Sequence, residues 1–335
     1  MEGELKEYIY PNSFELESGA VYPEIKLGYH TYGKLNDAKD NVVWVFHALT
    51  ANSDAVDWWH GLIGDGKLFD PARDFIICVN IPGSCYGSTS PLDHYHAYHA
   101  FQFFTTRDII RTFRHLKNEL GINKIRVGIG GSLGGQQLLE WAIEEPELFE
   151  SIIPLATNAQ HSAWGVAFNA SQRMCIENDE TWKQKEQHAG VNGMKIARGI
   201  ALISYRHYDT YHASQSHSEN DILQDFKSES YQRYQGEKLA KRFNAFSYYF
   251  LTKTMDAHNV GRDRGGLEEA LSLISAKTLV IGVSSDILFP ISEQQFLADN
   301  IRGAHLEIID SLYGHDGFLL EFEKIETCIT KFLNR

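Results

Sequence analysis

A serine flanked by glycines lies within residues 130–135, whose sequence is GGSLGG. The apolar stretch IRVGI precedes it and the helix-like stretch QQLLEWAIEE follows it, so the serine lies where a strand turns into a helix. So tight a turn strains the serine backbone, and glycines at 130 and 134 avoid steric clashes. It also places the hydroxyl at a helix N-terminus, where the backbone N–H of Leu133 can bind a developing oxyanion. The pattern predicts Ser132 as the nucleophile of an acyl-transfer reaction.

A serine hydroxyl needs a base, and the base needs a carboxylate that orients it. With this strand–serine–helix turn, the acid and the histidine follow the serine along the chain, each at the end of a later strand. Asp286 follows the apolar stretch at 278–283, and His315 follows the one at 306–309. We therefore predict Asp286 as the orienting acid and His315, among 15 histidines, as the base.

The loop FHALT at 46–50 follows an earlier predicted strand and is expected to supply a second oxyanion donor. The backbone N–H of Leu49 is our candidate for this donor. His47 lies in the same loop, but it precedes the serine, which is the wrong order for the base of this fold. We interpret His47 as structural.

Other sites are less consistent with the sequence. A dinucleotide-binding loop beginning at Gly128 would need glycine at 133, where the chain has leucine. A P-loop would need a Gly-Lys-Ser/Thr sequence, which does not follow. His94, His96 and His99 resemble a metal cluster, but no carboxylate or cysteine completes a zinc spacing. No metal site is predicted.

Short runs rich in Val and Ile predict buried parallel strands. They are Val43–Phe46, Phe75–Val79, Ile125–Ile129, Ile152–Ala156, Thr278–Val283 and Leu306–Ile309. Two predicted helices, Arg107–Leu120 and Gln136–Glu145, alternate with them, and period-two patterning before residue 34 indicates antiparallel edge strands. Together with the serine turn, this alternation predicts an α/β-hydrolase fold with a mostly parallel sheet and helices on both faces. Residues 160–267 lack strand patterning and are predicted to be a helical lid, inserted into a core of 1–159 and 268–335.

The net charge of −13 and the absence of a dense Lys/Arg run argue against a nucleic-acid partner, and an anionic substrate would need local basic groups. Four cysteines without a CxxC pair favour a reducing compartment. The first residues do not resemble a secretory signal, and no apolar run is long enough to span a membrane. We expect a cytoplasmic protein without membrane contact. Arg198 has apolar neighbours at helical spacing, so an inward orientation with a substrate carboxylate as partner is expected.

Longer motifs resemble the homoserine O-acyltransferase family over nearly the whole chain. They include HALTANSD at 47–54, GSCYGSTSP at 83–91, GGSLGGQQLLEWA at 130–142, ARGIALISYR at 197–206 and YGHDGFLLE at 313–321. The resemblance implies transfer of an acyl group from acyl-CoA through Ser132 to an amino-acid hydroxyl, with no permanently bound cofactor. It also implies that Arg198 binds the α-carboxylate and Asp316 the α-ammonium group, and that the lid forms a homodimer.

The chain departs from the family pattern at Leu133 and Gln136, where methionine is common, and at Ser90, where glycine is usual. The lid segment before Arg198 is also shorter than usual. These differences leave succinyl transfer and a serine acceptor open as alternatives to acetyl-CoA and homoserine, which we favour. A serine esterase or thioesterase would carry the same three residues.

Overall fold

The computed structural model describes residues 3–93, 96–217 and 222–334. Within them the strands are β1 (Lys6–Tyr10), β2 (Phe14–Glu15), β3 (Val21–Tyr22), β4 (Ile25–Tyr32), β5 (Val42–Phe46), β6 (Phe75–Val79), β7 (Ile125–Gly131), β8 (Phe149–Leu155), β9 (Lys277–Val283) and β10 (His305–Ile309). The helices are α1 (Ala55–Trp58), α2 (Thr106–Glu119), α3 (Leu133–Glu144), α4 (Ala163–Glu177), α5 (Val191–Tyr205), α6 (Tyr208–Gln215), α7 (Lys227–Ala240), α8 (Ala245–Asp256), α9 (Leu267–Ser272), α10 (Ile291–Asn300), α11 (Gly317–Leu320) and α12 (Phe322–Leu333). Tyr98–Ala100 and Gly314–Asp316 are 3₁₀ turns.

Eight of these strands form one sheet in the order β1-β4-β6-β5-β7-β8-β9-β10. The neighbours from β6 to β10 pair in parallel, and β1 and β4 are antiparallel at one edge. Each predicted strand is present, with ends that shift by three residues at most. This pairing confirms the α/β fold and its antiparallel edge. Apolar residues cover both faces of the sheet in two separate hydrophobic clusters, as is typical of a buried parallel sheet.

The helices begin where local chemistry favours it. At α2, the Thr105 side chain accepts the backbone N–H of Asp108, and the Asp108 carboxylate accepts the N–H of Thr105. This reciprocal capping satisfies two N–H groups that the first turn would leave unpaired. Helix α3 begins directly after Ser132, three residues before the predicted start. Among the described residues, no helix combines the length and the apolar character needed to cross a bilayer.

Among the described residues, six helices lie between β8 and β9, and α4 to α8 lie wholly within the segment predicted as a lid. The chain enters and leaves this insertion side by side. Gln160 and Asn259 form an antiparallel bridge, and the N–H of His161 donates to the carbonyl of His258 at 3.0 Å. We call residues 161–258 the lid. Its two ends are hydrogen-bonded to each other, and the strands on either side of it, β8 and β9, pair directly in the sheet.

The lid contacts the core beside the end of β10. Gly314 has a φ of +64°, and a Cβ there would lie 2.9 Å from both the backbone nitrogen of His207 and the carbonyl oxygen of Tyr205. Thr210 Oγ1 donates to the carbonyl of Leu312. The backbone at the end of α5 therefore rests directly on the turn that carries His315.

Candidate active site

Ser132 lies between β7 and α3 with a φ of +57° and a ψ of −127°. An L-residue rarely adopts this conformation, and the surrounding backbone must hold it in place. A Cβ on Gly134 would lie 2.2 Å from the carbonyl oxygen of Phe46, and one on Gly130 would lie 2.6 Å from the carbonyl carbon of Gly134. Glycine is thus required at both positions, for the steric reason that the sequence indicated.

Backbone hydrogen bonds fix the strained serine from both sides. The N–H of Ser132 donates to the carbonyl of Leu155 at 3.0 Å, and its carbonyl accepts the Thr157 hydroxyl at 2.8 Å. Its carbonyl also accepts the N–H of Gln136, at 3.1 Å. These bonds leave the side chain as the free part of the residue, at the N-terminus of α3, where helical N–H groups favour negative charge.

His315 and Asp286 form a close pair at the ends of their strands. Nδ1 of His315 lies 2.7 Å from Oδ2 of Asp286, and both side chains are buried. The second carboxylate oxygen, Oδ1, accepts the N–H groups of Leu288 and Phe289 at 2.8 and 2.9 Å. The ring of Phe289 stacks on His315 with the two centroids 5.0 Å apart. The acid is therefore held by the backbone, and the histidine keeps Nε2 for a substrate.

Ser132 and His315 line one cavity of about 410 Å³, together with Leu49 of the predicted oxyanion loop. Leu133 follows Ser132 as the first residue of α3 and is buried. Within the described residues, no hydrogen bond of ordinary length joins Ser132 to His315, and such bonds are often long in unliganded enzymes. The roles of Leu49 and Leu133 as oxyanion donors stay predictions.

Arg198 and Asp316 line the same cavity, Arg198 from α5 of the lid and Asp316 from the turn after β10. The guanidinium carbon of Arg198 lies 5.4 Å from the centre of the Tyr205 ring. Burial raises the pKa of the Asp316 carboxyl, and the guanidinium groups of Arg206 and Arg198 oppose that rise. The cavity thus presents a cation and a carboxylate to one ligand, an arrangement suited to the two charged ends of an amino acid.

His47 is buried, and both of its ring nitrogens contact backbone groups. Nε2 accepts the N–H of Ile81 at 3.0 Å, which places the ring proton on Nδ1, 2.9 Å from the carbonyl of Ala48. Burial lowers the pKa of His47 to about 4. The side chain has no nitrogen left for a substrate.

The described residues contain no group of three His, Cys, Asp or Glu side chains placed to hold a metal ion. His94, one of the three histidines weighed in the sequence, lies outside the described residues. His99 uses Nε2 for the carbonyl of Trp182, 2.6 Å away.

Comparisons with known proteins identify the family to which this chain belongs. Residues 41–322 match the family pattern of the alpha/beta hydrolase fold. The chain is 47% identical over 325 residues to "Homoserine O-acetyltransferase" of Cyclobacterium marinum, which covers 96% of this chain and 92% of that protein. The chain belongs to the homoserine O-acetyltransferase family.

Two solved structures are similar to this chain in fold. A homoserine O-acetyltransferase from Bacillus anthracis is similar with a TM-score of 0.91 and 24% identity, over 100% of this chain and 98% of that one. "Esterase E22" is similar with a TM-score of 0.88 and 24% identity, over 99% and 100%. Proteins with these two different names share one fold, so the fold alone does not determine the activity. The side chains around the cavity must distinguish acetyl transfer from ester hydrolysis.

Two ionisable residues close to the predicted site residues of this homoserine O-acetyltransferase family member were not identified from the sequence. Arg206 lies 2.8 Å from Asp316, measured from Nε to Oδ2. Glu293 is near Asp286, and burial raises its pKa to about 7. The motif ARGIALISYR did contain Arg206, but this residue follows the last residue of α5 with an extended backbone, and the motif alone does not place it beside Asp316.

Glu293 belongs to a chain of hydrogen-bonded side chains behind the serine. Its Oε2 accepts Nδ2 of Asn158 at 2.9 Å, and Oδ1 of Asn158 accepts Nε2 of Gln136 at 2.9 Å. Gln136 lies one helical turn after Ser132. Gln136 is therefore linked through Asn158 to Glu293, which lies near Asp286.

Proposed function

We propose that this protein transfers an acetyl group from acetyl-CoA to the hydroxyl of L-homoserine, a step of methionine biosynthesis, with Ser132, His315 and Asp286 as its catalytic triad. One observation carries the proposal. A nucleophile and its base share a cavity with Arg198 and Asp316, a pair of charges that a hydrolase of neutral esters does not need. Membership of the homoserine O-acetyltransferase family supports the same substrates.

In the first half-reaction, His315 Nε2 takes the proton of the Ser132 hydroxyl as Oγ attacks the thioester carbonyl. The N–H groups of Leu133 and Leu49 bind the oxyanion that forms. The carbon–sulfur bond then breaks, and the CoA thiolate leaves as a thiol with the proton from His315. Asp286 stabilises the imidazolium while it carries that proton.

In the second half-reaction, the homoserine hydroxyl gives its proton to His315 and attacks the acetyl carbonyl on Ser132. The ester bond to Oγ breaks, and His315 returns the proton to the serine. Arg198 binds the α-carboxylate and Asp316 the α-ammonium group, so the hydroxyl is held at the acyl carbon. This positioning lets a dilute alcohol compete with water.

The donor must approach a protein whose net charge is −13. Lys238 and Arg242 are exposed at the cavity and supply the local positive charge that the phosphates of CoA require. Trp58, Phe318 and Leu319 give the cavity a partly apolar wall, which favours an acetyl over a charged succinyl group. No other cofactor is part of the proposed mechanism.

We also propose that the protein is a cytoplasmic homodimer that pairs through the lid. Ile196 and Ile203 lie about two turns apart on one face of α5 and are 60% and 55% exposed, and Met174 of α4 is 58% exposed. An exposed aliphatic surface of this kind typically meets another protein, here a second copy. Light scattering should show a dimer that Ile203→Glu converts to a monomer. An unchanged mass would contradict the assignment.

A thiol-release assay tests the reaction directly. Acetyl-CoA or succinyl-CoA is supplied with L-homoserine, with L-serine or with no acceptor. We expect release that requires acetyl-CoA and homoserine together. Release that no amino acid accelerates would identify a hydrolase, and faster release with succinyl-CoA or serine would reassign the donor or the acceptor.

A further inference from the structure

Asp316 is a largely buried carboxylate that faces the cavity with its hydrogen-bonding capacity unused. Its side chain is 14% exposed, and within the described residues it accepts no hydrogen bond. The contact with Arg206 is an ion pair by distance, but Nε of Arg206 is buried and has no hydrogen-bond partner, so its N–H is not aimed at the carboxylate. A buried carboxylate in this state lacks a donor, and a ligand can supply one.

Arg206 approaches Asp316 from the lid, whereas Asp316 belongs to the core. Arg206 follows the last residue of α5, and its backbone N–H donates to the carbonyl of Leu202 at 3.0 Å. The backbone on both sides of it packs against Gly314. The position of Arg206 relative to Asp316 is therefore set by backbone contact between lid and core.

Several charged or titratable groups surround Asp316. Arg198 and Tyr205 face it from α5, Tyr211 from α6, and His315 and Asp286 from the core. Lys238, Arg242 and Asp57 line other parts of the cavity. Within the described residues, Arg206 is the group in ionic contact with Asp316, with its Nε 2.8 Å from Oδ2.

We propose that Arg206 is a positioning residue whose charge keeps the Asp316 carboxylate ionised, ready to accept the α-ammonium group of the amino-acid substrate. The proposal rests on the proposed function and deepens it, because it names the residue that prepares the ammonium site. A neutral carboxyl group would have to lose its proton before it could pair with the ammonium group. The nearby guanidinium removes that requirement by stabilising the charged form in advance.

The test compares L-homoserine with 4-hydroxybutyrate, which has the same hydroxyl and carboxylate but no ammonium group. Wild-type protein should prefer homoserine in kcat/KM, and Arg206→Gln should reduce that preference by about 10- to 100-fold, mainly through KM for homoserine. Arg206→Lys keeps the charge and should restore most of the preference. Arg233→Gln is the matched control, because Arg233 is a lid arginine 78% exposed and paired with Glu229.

Formation of the acyl-enzyme provides a readout that does not involve the acceptor. The burst of p-nitrophenol from p-nitrophenyl acetate should stay within about twofold in both Arg206 variants. The acid limb of kcat/KM for homoserine should move to higher pH in Arg206→Gln, because the Asp316 carboxylate becomes harder to ionise. The acid limb of the burst should not move.

Two results would overturn the inference. One is a homoserine preference and acid limb in Arg206→Gln that match the wild type. The other is an equal loss of burst and transfer in both Arg206 variants, which would indicate that Arg206 only docks the lid. If wild-type protein does not use homoserine at all, the proposed function fails, and this inference fails with it.

Discussion

The strand ends and the lid position their functional groups in different ways. At the strand ends, backbone groups hold Ser132 at its strained φ and clamp the Asp286 carboxylate with two N–H donors. In the lid, the guanidinium group of Arg198 lies over the ring of Tyr205, and that of Arg206 pairs with Asp316. The difference teaches that the bond-making groups depend on the path of the backbone, whereas the choice of acceptor depends on a few replaceable side chains.

Removing the nucleophile should have the largest effect. Ser132→Ala should lower both half-reactions on the order of 10⁴-fold or more, because no other group carries the acyl chain. Thiol release and the p-nitrophenol burst measure the two losses. Ser272→Ala, at an exposed serine of α9, is the control. A variant that kept homoserine-dependent turnover would remove Ser132 from the mechanism.

Weakening the contact between the lid and the core should have the second-largest effect. Gly314→Ala should lower the free energy of unfolding by ~2 kcal/mol or more, because the new Cβ meets the lid backbone and the φ is positive. Transfer to homoserine should fall more than the burst. Gly303→Ala is a matched control with a φ of +72° and no atom within 4 Å of the new Cβ. Equal effects in the two variants would mean that φ, and not lid contact, matters at Gly314.

A change at Arg198 should measure how much the lid contributes to binding of the acceptor carboxylate. Arg198→Ala should raise KM for homoserine by roughly 10- to 150-fold, the loss expected for a charge-assisted hydrogen bond, and leave the burst nearly unchanged. Steady-state kinetics with the exposed Arg233→Ala as control would measure this split. A burst that fell with KM would show that the lid arginine also serves the first half-reaction.

The smallest expected effect concerns pH. Burial raises the pKa of Glu293 to about 7, so the folded protein retains a proton that the unfolded chain loses above its usual value of 4.5. Stability should therefore decrease as pH rises from about 4.5 to 7, and Glu293→Gln should flatten this slope by on the order of 1 kcal/mol. Denaturant titrations at several pH values check it, with the exposed Glu186→Gln as control. A steeper slope in Glu293→Gln would contradict the burial argument.

The sequence could predict the strand ends because their signals are local. An apolar run followed by glycines and a serine depends on neighbouring residues alone, and Asp286 and His315 each follow an apolar run in the chain order that the serine turn predicts. Arg206 could not be found in this way. An arginine at the end of an amphipathic helix looks the same whether it faces water or a carboxylate 110 positions later. The unusual environment of Glu293 likewise arises from long-range burial beside Asn158 and Asp286.

The lid begins and ends at one bridge, between Gln160 and Asn259. An insertion whose ends meet can be exchanged as a unit, because the sheet needs only a short connection between the same two points. Selection for a new acceptor can then act on the insertion while the strand ends keep their backbone geometry. A chimera with the lid of a related esterase, joined at residues 160 and 259, would be expected to fold and to retain an acylable serine.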